Sequence, residues 1–311
     1  MVTGFPILTV LWLVPLAGAG AVAVVPVHRR ALAKSVGLSV ALITLAVTLT
    51  IVTWFDPVGA QYQFTEHHRW IPAFGAGYLL GVDGIALALV VLAAVLVPVL
   101  LLAGWNDTTS PRAYIALILV VESTVLVSLI ALDVLLFFVF FEAMLVPMYF
   151  LIGAFGSTGS ARAALKFLLY GLFSGLVMLA AVIGLYVVTA RSTMFGSGTF
   201  DFRAIVAAVS SGQLGVNPAI MNALFLGFML PLWPFHTWLP GAAAEATPVT
   251  AVLMMAVVDK VGTFGMLRYC LQLFPDASTL FRPFIITLAV IGIVYGAILA
   301  IGQTDVMRLI A

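Results

Sequence analysis

The stretch that decides the fold is residues 78–104, YLLGVDGIALALVVLAAVLVPVLLLAG, in which Asp83 is the one ionisable acidic or basic side chain. An α-helix rises 1.5 Å per residue, so about 20 apolar residues cross the ~30 Å hydrocarbon core of a bilayer. This stretch is long enough to cross and too apolar to cover a soluble surface. It therefore predicts a transmembrane helix.

Further apolar stretches of similar length lie on both sides of it. They are found near residues 4–27, 33–54, 113–131, 133–154, 163–189, 214–245, 248–273 and 281–303. Two polar and aromatic connections, 55–77 and 191–213, fit excursions along the membrane interface. The sequence therefore predicts an all-α, polytopic membrane helix bundle of about nine spans, whose first span is long enough to stay in the membrane instead of being removed as a signal peptide.

The composition excludes several classes of protein. Hydrophobic residues make up 64% of the chain and charged residues 8%, whereas a soluble domain carries about 25% charged residues. The net charge of +1 gives no basic surface for nucleic acid. A lone cysteine, Cys270, excludes a disulfide framework and a thiolate metal site. No motif for phosphate, zinc, haem, flavin or an iron–sulfur cluster is present, so any redox centres are expected in partner chains.

Orientation is predicted from the basic residues of the connections. Arg29, Arg30 and Lys34 form the densest positive cluster and follow the first span. Positive loops remain on the cytoplasmic side, so the N-terminus is predicted outside.

Glu142 is the strongest candidate for proton chemistry. It lies nine residues into the fifth span, after the phenylalanine-rich run 137–141. A charge at the bilayer centre costs about 2.5–3.5 kcal/mol on insertion scales, so such residues usually face the bundle and serve a function. Burial favours the neutral carboxyl and a nearby cation favours the carboxylate, which suits proton transfer. The alternative is a structural carboxyl that is hydrogen-bonded between helices.

Lys260 lies twelve residues into the eighth span, near mid-depth. Burial makes an amine easier to deprotonate, so Lys260 is predicted to hold and release a proton. Asp259 is adjacent in sequence, but adjacent helical residues point to different faces, so no direct pair is implied. The alternative is a lysine that is neutralised by a structural ion pair.

Two further ionisable residues are candidates. Glu122, nine residues into the fourth span, is expected to partner a cation on another helix or to bond to Ser or Thr hydroxyls. Lys166 opens the sixth span, where a lysine also reaches the interface by snorkelling. Outside these candidates, Asp83 and Asp133 are interpreted as helix starts and Arg268 as an interface anchor.

The seventh span is expected to be discontinuous. Residues 229–240, MLPLWPFHTWLP, hold three prolines, each of which removes a backbone donor. Broken backbone at membrane depth occurs where it is buried in protein or lines a wet cavity. His236 lies in this segment and is predicted to relay protons, because imidazole titrates near neutral pH. The alternative is a histidine bonded to a freed carbonyl.

Several segments closely resemble the antiporter-like membrane subunits of respiratory complex I. They are Phe141–Phe150, Pro231–Pro240 and Asp259–Tyr269, together with Gly81–Gly84 and Gln303–Ala311. The resemblance extends along the whole chain. It implies a fold of two inverted five-helix repeats, each housing half of a proton channel. It therefore implies the first half of an inverted-repeat antiporter-like fold.

The resemblance implies a domain division and roles for single residues. Residues 1–112 would be an N-terminal three-helix segment, 113–275 the five-helix repeat, and 276–311 the start of a second repeat that is cut short. Glu142 matches the family's fifth-helix glutamate, Lys166 the basic residue that opens the sixth helix, His236 the seventh-helix histidine, and Lys260 the eighth-helix lysine. Three positions depart from the family pattern: Met229, where a lysine is usual, Gly241, where an aspartate is usual, and Met307, where a lysine is usual.

The function implied is proton translocation within a membrane-bound NADH–quinone oxidoreductase of the bacterial inner membrane. NADH, FMN, iron–sulfur clusters and quinone would bind in partner chains, and the other membrane-arm subunits and the lipid bilayer would be the direct partners. Two alternatives remain. One is a subunit of a multi-subunit cation/proton antiporter or of a membrane-bound hydrogenase, and the other is a structural membrane subunit with no pathway.

Overall fold

The structure is a computed structural model that describes residues 5–106, 110–229 and 237–310. These residues form a helix bundle with one antiparallel β-hairpin. The elements in chain order are α1 (Ile7–Val24), α2 (Arg30–Trp54), β1 (Gln63–Ile71), β2 (Ala76–Val82), α3 (Gly84–Ala103), α4 (Pro111–Ile130), α5 (Val134–Phe155), α6 (Ser160–Arg191), α7 (Phe202–Ser210), α8 (Pro218–Met229), α9 (Leu239–Glu245), α10 (Pro248–Leu273), α11 (Pro275–Ile301) and α12 (Val306–Ile310).

The prediction of a polytopic helix bundle is confirmed. Eight of the helices in the described part of the chain are long and apolar enough to cross a membrane: α1 to α6, α10 and α11. The seventh predicted span corresponds to α8 and α9. Residues 230–236, which join these two helices, lie outside the described residues.

The β-hairpin occupies residues for which two other structures were predicted. Residues 78–82 were expected to open the third span, but they form the end of β2, and α3 begins at Gly84. A short apolar run that is buried on both faces cannot be told from a helix by its periodicity. The connection 55–77, expected to be an interfacial excursion, contributes β1 and a turn in which Gly75 has a φ of +62°. The connection 191–213 contains the short helix α7.

The hairpin closes the end of the bundle where α1 begins. The first N–H groups of a helix have no partner within it, and Pro6 at the N-cap of α1 offers no side-chain acceptor. Glu66 of β1 supplies the acceptor: its carboxylate accepts hydrogen bonds from the Leu8 backbone N–H, 2.7 Å away, and from the Thr9 hydroxyl. The hairpin is therefore fastened directly to the first span.

The core of the bundle lies around α4. This helix packs against α1, α2, α3 and α5. Of its 18-residue apolar segment, 78% is buried inside the protein. In contrast, no residue of the 18-residue apolar segment of α11 is buried. The central position of α4 places Glu122 inside the protein.

Candidate functional site

Glu142 lies within α5, next to a local interruption of the helix. The regular helix ends at Ala143 and resumes at Leu145. Pro147 accounts for the interruption, because it has no N–H to donate to the Ala143 carbonyl one turn earlier. The interruption loosens the backbone beside the carboxylate without ending the span.

The Glu142 carboxylate is half-buried and packs against α6. Its contact there is Gly175, where an added Cβ would overlap the carboxylate atoms. The Oε1 atom is fully buried and has no hydrogen-bond partner among the described residues. The alternative of a structural carboxyl, hydrogen-bonded between helices, is therefore not met at this oxygen.

Glu122 is completely buried within α4. Neither of its carboxylate oxygens has a hydrogen-bond partner in the described part of the chain. The neighbouring hydroxyls bond elsewhere: Ser123 donates to the Trp12 carbonyl at 2.9 Å, and Thr124 donates to carbonyls of its own helix. The expectation that Glu122 partners a cation or a Ser or Thr hydroxyl is therefore wrong for these residues.

Lys260 does not face the interior of this chain. It lies exposed on α10, beside an apolar groove of 380 Å³ that α3 lines with Gly84 and Ile85. No salt bridge joins Lys260 to Asp259 or to any other described acidic residue. The expectation of a buried lysine is wrong for the described residues, because depth along a span does not specify the face on which a side chain lies.

The local backbone of α10 contributes to this placement. Two five-residue π segments, Met254–Val258 and Met266–Cys270, lie on either side of the Lys260 turn. A π turn bonds residue i to i+5 and uses about one more residue per turn than an α-helix. The faces of α10 therefore shift at each segment. Such segments are frequent at functional sites.

A small cavity lies between the helix of Glu142 and the helix of Lys260. Phe141 of α5, Ser174 of α6, Gly227 of α8, and Gly262 and Tyr269 of α10 contribute to its lining. Its volume of 20 Å³ exceeds the ~10–15 Å³ that a water molecule needs. The cavity is therefore large enough for one water between the two helices that carry the strongest candidates.

Two residues of the predicted seventh span remain to be placed, Met229 and His236. Met229 ends α8 and is buried at 7% exposure, so an uncharged thioether stands where the family has a lysine. His236 lies outside the described residues, and its predicted relay role stays a prediction.

Lys166 is placed against the residue that follows His236. Its ammonium donates to the Thr237 carbonyl at 2.6 Å and lies 5.7 Å from the centre of the Tyr170 ring. The Phe167 and Trp238 rings also meet at 5.2 Å. Lys166 is exposed and forms no salt bridge with a described acidic residue, so the structure does not bring it together with Glu142. It fastens the start of α9 to α6.

Arg268 is a third ionisable residue whose predicted environment is wrong. It was interpreted as an interface anchor, but it is 2% exposed, and its Nη2 lies 2.7 Å from Asp83 Oδ1. The contact is an ion pair without aligned hydrogen-bond geometry at Nη2. Its guanidinium also lies 4.5 Å from the centre of the Phe264 ring. An arginine within an apolar run is costly unless it is paired, and this was the signal that could have found the site.

Asp83 and Asp133 confirm the prediction that they start helices. The Asp83 carboxylate accepts from the Ala86 N–H at 2.8 Å, and that of Asp133 accepts from the Leu135 and Leu136 N–H groups. Asp133 also accepts from Gly77 N–H of the hairpin at 2.8 Å. Burial raises the pKa of Asp133, just before α5, to about 6 against the lowering effect of these bonds.

A metal centre has no support in the described residues. They contain no group of three or more His, Cys, Asp and Glu side chains placed to hold a metal ion. The chemistry that the arrangement offers is proton transfer through buried carboxylates.

Comparison with known proteins finds similar proteins over nearly the whole chain. A family model described as "NADH:quinone oxidoreductase/Mrp antiporter, TM" matches residues 131–311. NADH-quinone oxidoreductase subunit M of Mycobacterium tuberculosis is 62% identical, over 98% of this chain and 62% of that protein. The subunit M of Rhodobacter capsulatus is 35% identical, over 98% of this chain and 61% of that protein.

The solved structures agree with these relatives on the fold. A chain of respiratory complex I from Thermus thermophilus with bound NADH superimposes with a TM-score of 0.83 at 26% identity, over 97% of this chain and 61% of that chain. A chain of the Mrp complex from Dietzia has a TM-score of 0.78 at 24% identity, over 97% of this chain and 32% of that chain, and shows the fold alone. The chain spans about three fifths of the length of the curated relatives named above.

Proposed function

Because this chain belongs to the NADH:quinone oxidoreductase/Mrp antiporter transmembrane family, we propose that it is a proton-translocating membrane subunit of an NADH–quinone oxidoreductase. The observation that carries the proposal is the Glu142 carboxylate. It has a buried oxygen without a hydrogen-bond partner among the described residues, and the residues Phe141 and Ser174 line a water-sized cavity that reaches α10. No described residue bonds to this oxygen and holds the carboxylate in one charge state, so it is suited to take up and release a proton.

Glu142 is the proposed proton carrier, and a water in the cavity that the adjacent Phe141 lines is the proposed link toward α10. Moving one charge against 100 mV requires about 2.3 kcal/mol. A charge that arrives within ~4–6 Å of a titratable group changes its pKa by about 1–3 units, which is about 1.4–4 kcal/mol. Electron transfer in partner chains is therefore able to drive the step by moving one charge toward the carboxylate.

Lys260 is the proposed acceptor toward the rest of the assembly. It lies on the outer surface of the described chain, beside the groove that α3 and α10 form. Groups of a neighbouring polypeptide or of a longer chain would complete its environment. Glu122 and His236 are proposed as assisting proton carriers, and Lys166 as the residue that holds Thr237.

The remaining assignments follow from this role. NADH, FMN, iron–sulfur clusters and quinone are proposed to bind in partner chains, and the other membrane-arm subunits are the proposed neighbours. Residues 113–275 are the proposed five-helix repeat, between the helices of 1–112 and those of 276–311. The bacterial inner membrane is the proposed location.

The N-terminus is proposed to lie outside the cell. Arg29 immediately precedes α2, and Arg30 and Lys34 lie near its start. Arg112, at the start of α4, donates to the Val25 carbonyl at 3.2 Å. These basic residues share one end of the bundle, which is the cytoplasmic end by the positive-inside rule.

The test is NADH-driven proton pumping by inverted membrane vesicles that contain the complete complex. Glu142→Gln keeps the size of the side chain and removes its titratable charge, and it is expected to abolish pumping. Asp56→Asn, which removes an exposed loop carboxylate, is the matched control and is expected to pump normally. Loss of pumping in Glu142→Gln at normal assembly supports the proposal, and unchanged pumping contradicts it.

Cation/proton antiport is the second candidate function, because the matching family model covers both kinds of protein. It is tested with the same vesicles, in which a sodium gradient replaces NADH. Proton movement that depends on sodium and on Glu142, without a response to NADH, would favour this candidate.

A further inference from the structure

Gly175 is the residue of α6 that touches the Glu142 carboxylate. A Cβ built on Gly175 would overlap the Glu142 Oε1 and Cδ atoms, and it would lie 2.5 Å from Oε2. Real Cβ atoms essentially never come this close to their neighbours. Every residue other than glycine carries a Cβ, so the observed position of the carboxylate requires glycine at residue 175.

We propose that Gly175 is a positioning residue for proton transfer: the absence of a side chain at Gly175 fixes where Glu142 holds its proton. The inference rests on the proposed function, since it requires Glu142 to carry a proton. Gly175 is not titratable itself, but it would join the residues that control proton transfer at Glu142.

The contact differs from ordinary close packing of helices. Gly171 lies one turn earlier on α6, and the Gly171-x-x-x-Gly175 spacing is the kind that lets helices approach closely. A Cβ at Gly171 would meet Leu145 Cδ1 at 2.8 Å, the far end of a flexible apolar side chain. Crowding at Gly171 therefore moves a methyl group, whereas crowding at Gly175 moves the titratable group itself.

Packing, and not hydrogen bonding, holds the buried oxygen in place. Oε1 of Glu142 has no hydrogen-bond partner among the described residues. The hydroxyl of Ser174, the residue before Gly175, donates to the Gly171 carbonyl at 2.9 Å. A methyl group at residue 175 would therefore displace the carboxylate without opposition from any bond to Oε1.

The first experiment compares Gly175→Ala with Gly171→Ala in vesicles that contain the complete complex. The two substitutions lie on the same helix and bring the same gain in helix propensity, so they form a matched pair. A misplacement of about 1 Å at a reacting group costs up to ~100-fold, so Gly175→Ala is expected to lower the rate of NADH-driven pumping by at least about fivefold. Gly171→Ala is expected to pump within about twofold of the wild type at equal assembly, because Leu145 can rotate away.

The second experiment asks whether the loss acts through Glu142. Glu142→Asp draws the carboxylate back by one carbon–carbon bond, about 1.5 Å, and leaves room for a Cβ at residue 175. Residues in contact give non-additive effects in a double-mutant cycle. Adding Gly175→Ala to Glu142→Asp is therefore expected to cost much less than adding Gly175→Ala to the wild type. Adding Gly171→Ala to Glu142→Asp is expected to be additive.

The outcomes separate this inference from the proposed function. If Glu142→Gln abolishes pumping but Gly175→Ala pumps normally, the inference fails and the function stands. Equal losses in Gly175→Ala and Gly171→Ala, with no rescue by Glu142→Asp, would also overturn it, because they would show helix packing alone. Normal pumping by Glu142→Gln would instead remove the proposed function.

Discussion

Buried carboxylates at the hairpin end of the bundle have partners, whereas the buried carboxylate of Glu122 in the core around α4 has none among the described residues. At the hairpin end, Asp83 meets the Arg268 guanidinium and also caps α3. Inside the bundle, Glu122 is fully buried, and neither of its oxygens has a partner in the described chain. The buried carboxylate is therefore paired where it joins structural elements, whereas in the core around α4 the Glu122 oxygens have no partner among the described residues.

The difference has a physical consequence. A buried ion pair resists the loss of either partner, because the remaining charge would be desolvated without compensation. A buried carboxyl without a partner avoids the same cost by binding a proton. Pairing is therefore the signature of a structural role, and its absence is the signature of a group that can change its charge state.

Arg268→Met tests the structural role of the ion pair most directly, because it leaves Asp83 buried without its cation. Removal of one member of a buried pair costs about 3–5 kcal/mol, so the variant is expected to show the largest loss of stability. The measurement is the thermal unfolding midpoint in detergent, together with the amount of assembled complex. Arg203→Ala, which breaks the exposed Arg203–Asp201 pair, is the control and is expected to cost less than about 1 kcal/mol.

A second variant decides whether the lone charge causes that loss. Asp83→Asn keeps an acceptor for the Ala86 N–H, so the double change Asp83→Asn/Arg268→Met is expected to be more stable than Arg268→Met alone. If the double change is equally unstable, the guanidinium stabilises the region through its packing on Phe264 and not through the charge of Asp83.

Asp133 is an intermediate case between the paired Asp83 and the unpaired Glu122. Its carboxylate accepts hydrogen bonds from backbone N–H groups but forms no salt bridge among the described residues. Its pKa is about 6 in the folded state and 3.8 without burial. The folded protein therefore binds this proton more tightly, and the contribution to stability is greatest below pH 3.8 and is lost as pH rises through about 6. This change corresponds to about 3 kcal/mol at 1.36 kcal/mol per pKa unit.

The measurement is the thermal midpoint of the wild type minus that of Asp133→Asn, at pH 4.5 and at pH 7. The difference is expected to be larger in favour of the wild type at pH 4.5, because the neutral amide does not titrate. The same difference at both pH values would mean that the three N–H bonds to Asp133 offset the effect of burial on its pKa.

The smallest effect is expected at Glu122. Removal of a buried polar group that lacks partners recovers its desolvation penalty, so Glu122→Leu is expected to raise stability by about 1–3 kcal/mol while it lowers proton pumping. Ser128→Ala is the control on the same helix, since the Ser128 hydroxyl is buried but donates to the Thr124 carbonyl at 2.9 Å. The control is expected to lose about 1 kcal/mol. A loss of stability in Glu122→Leu would show that the carboxyl has a structural partner.

The helices of the bundle could be predicted from the sequence because bilayer thickness sets their length. The caps at Asp83 and Asp133 were predictable because they depend on local chemistry. Glu122 and Glu142 were identified because an acidic residue in an apolar run is costly wherever it points.

The rest depends on which side chains meet, and spacing along one helix does not contain that information. The hairpin was missed because β2 is an apolar strand that joins directly to an apolar helix. The face of Lys260 was not predictable from its depth along the span, and the π segments of α10 shift the helix faces on both sides of it. Gly175 carries no chemical signal of its own, and only the contact with Glu142 distinguishes it from the other glycines of α6.

The bond from Glu66 to α1 has a consequence for biosynthesis. The carboxylate that caps the first helix lies 58 residues after the Leu8 N–H that it binds. At a synthesis rate of ~5–20 residues per second, about 3–12 s separate the two residues at the ribosome. The first span is therefore synthesised before the carboxylate that caps it, and the cap forms only after α2 has also been made. Mutation of Glu66 would therefore remove a bond that α1 gains only late in synthesis.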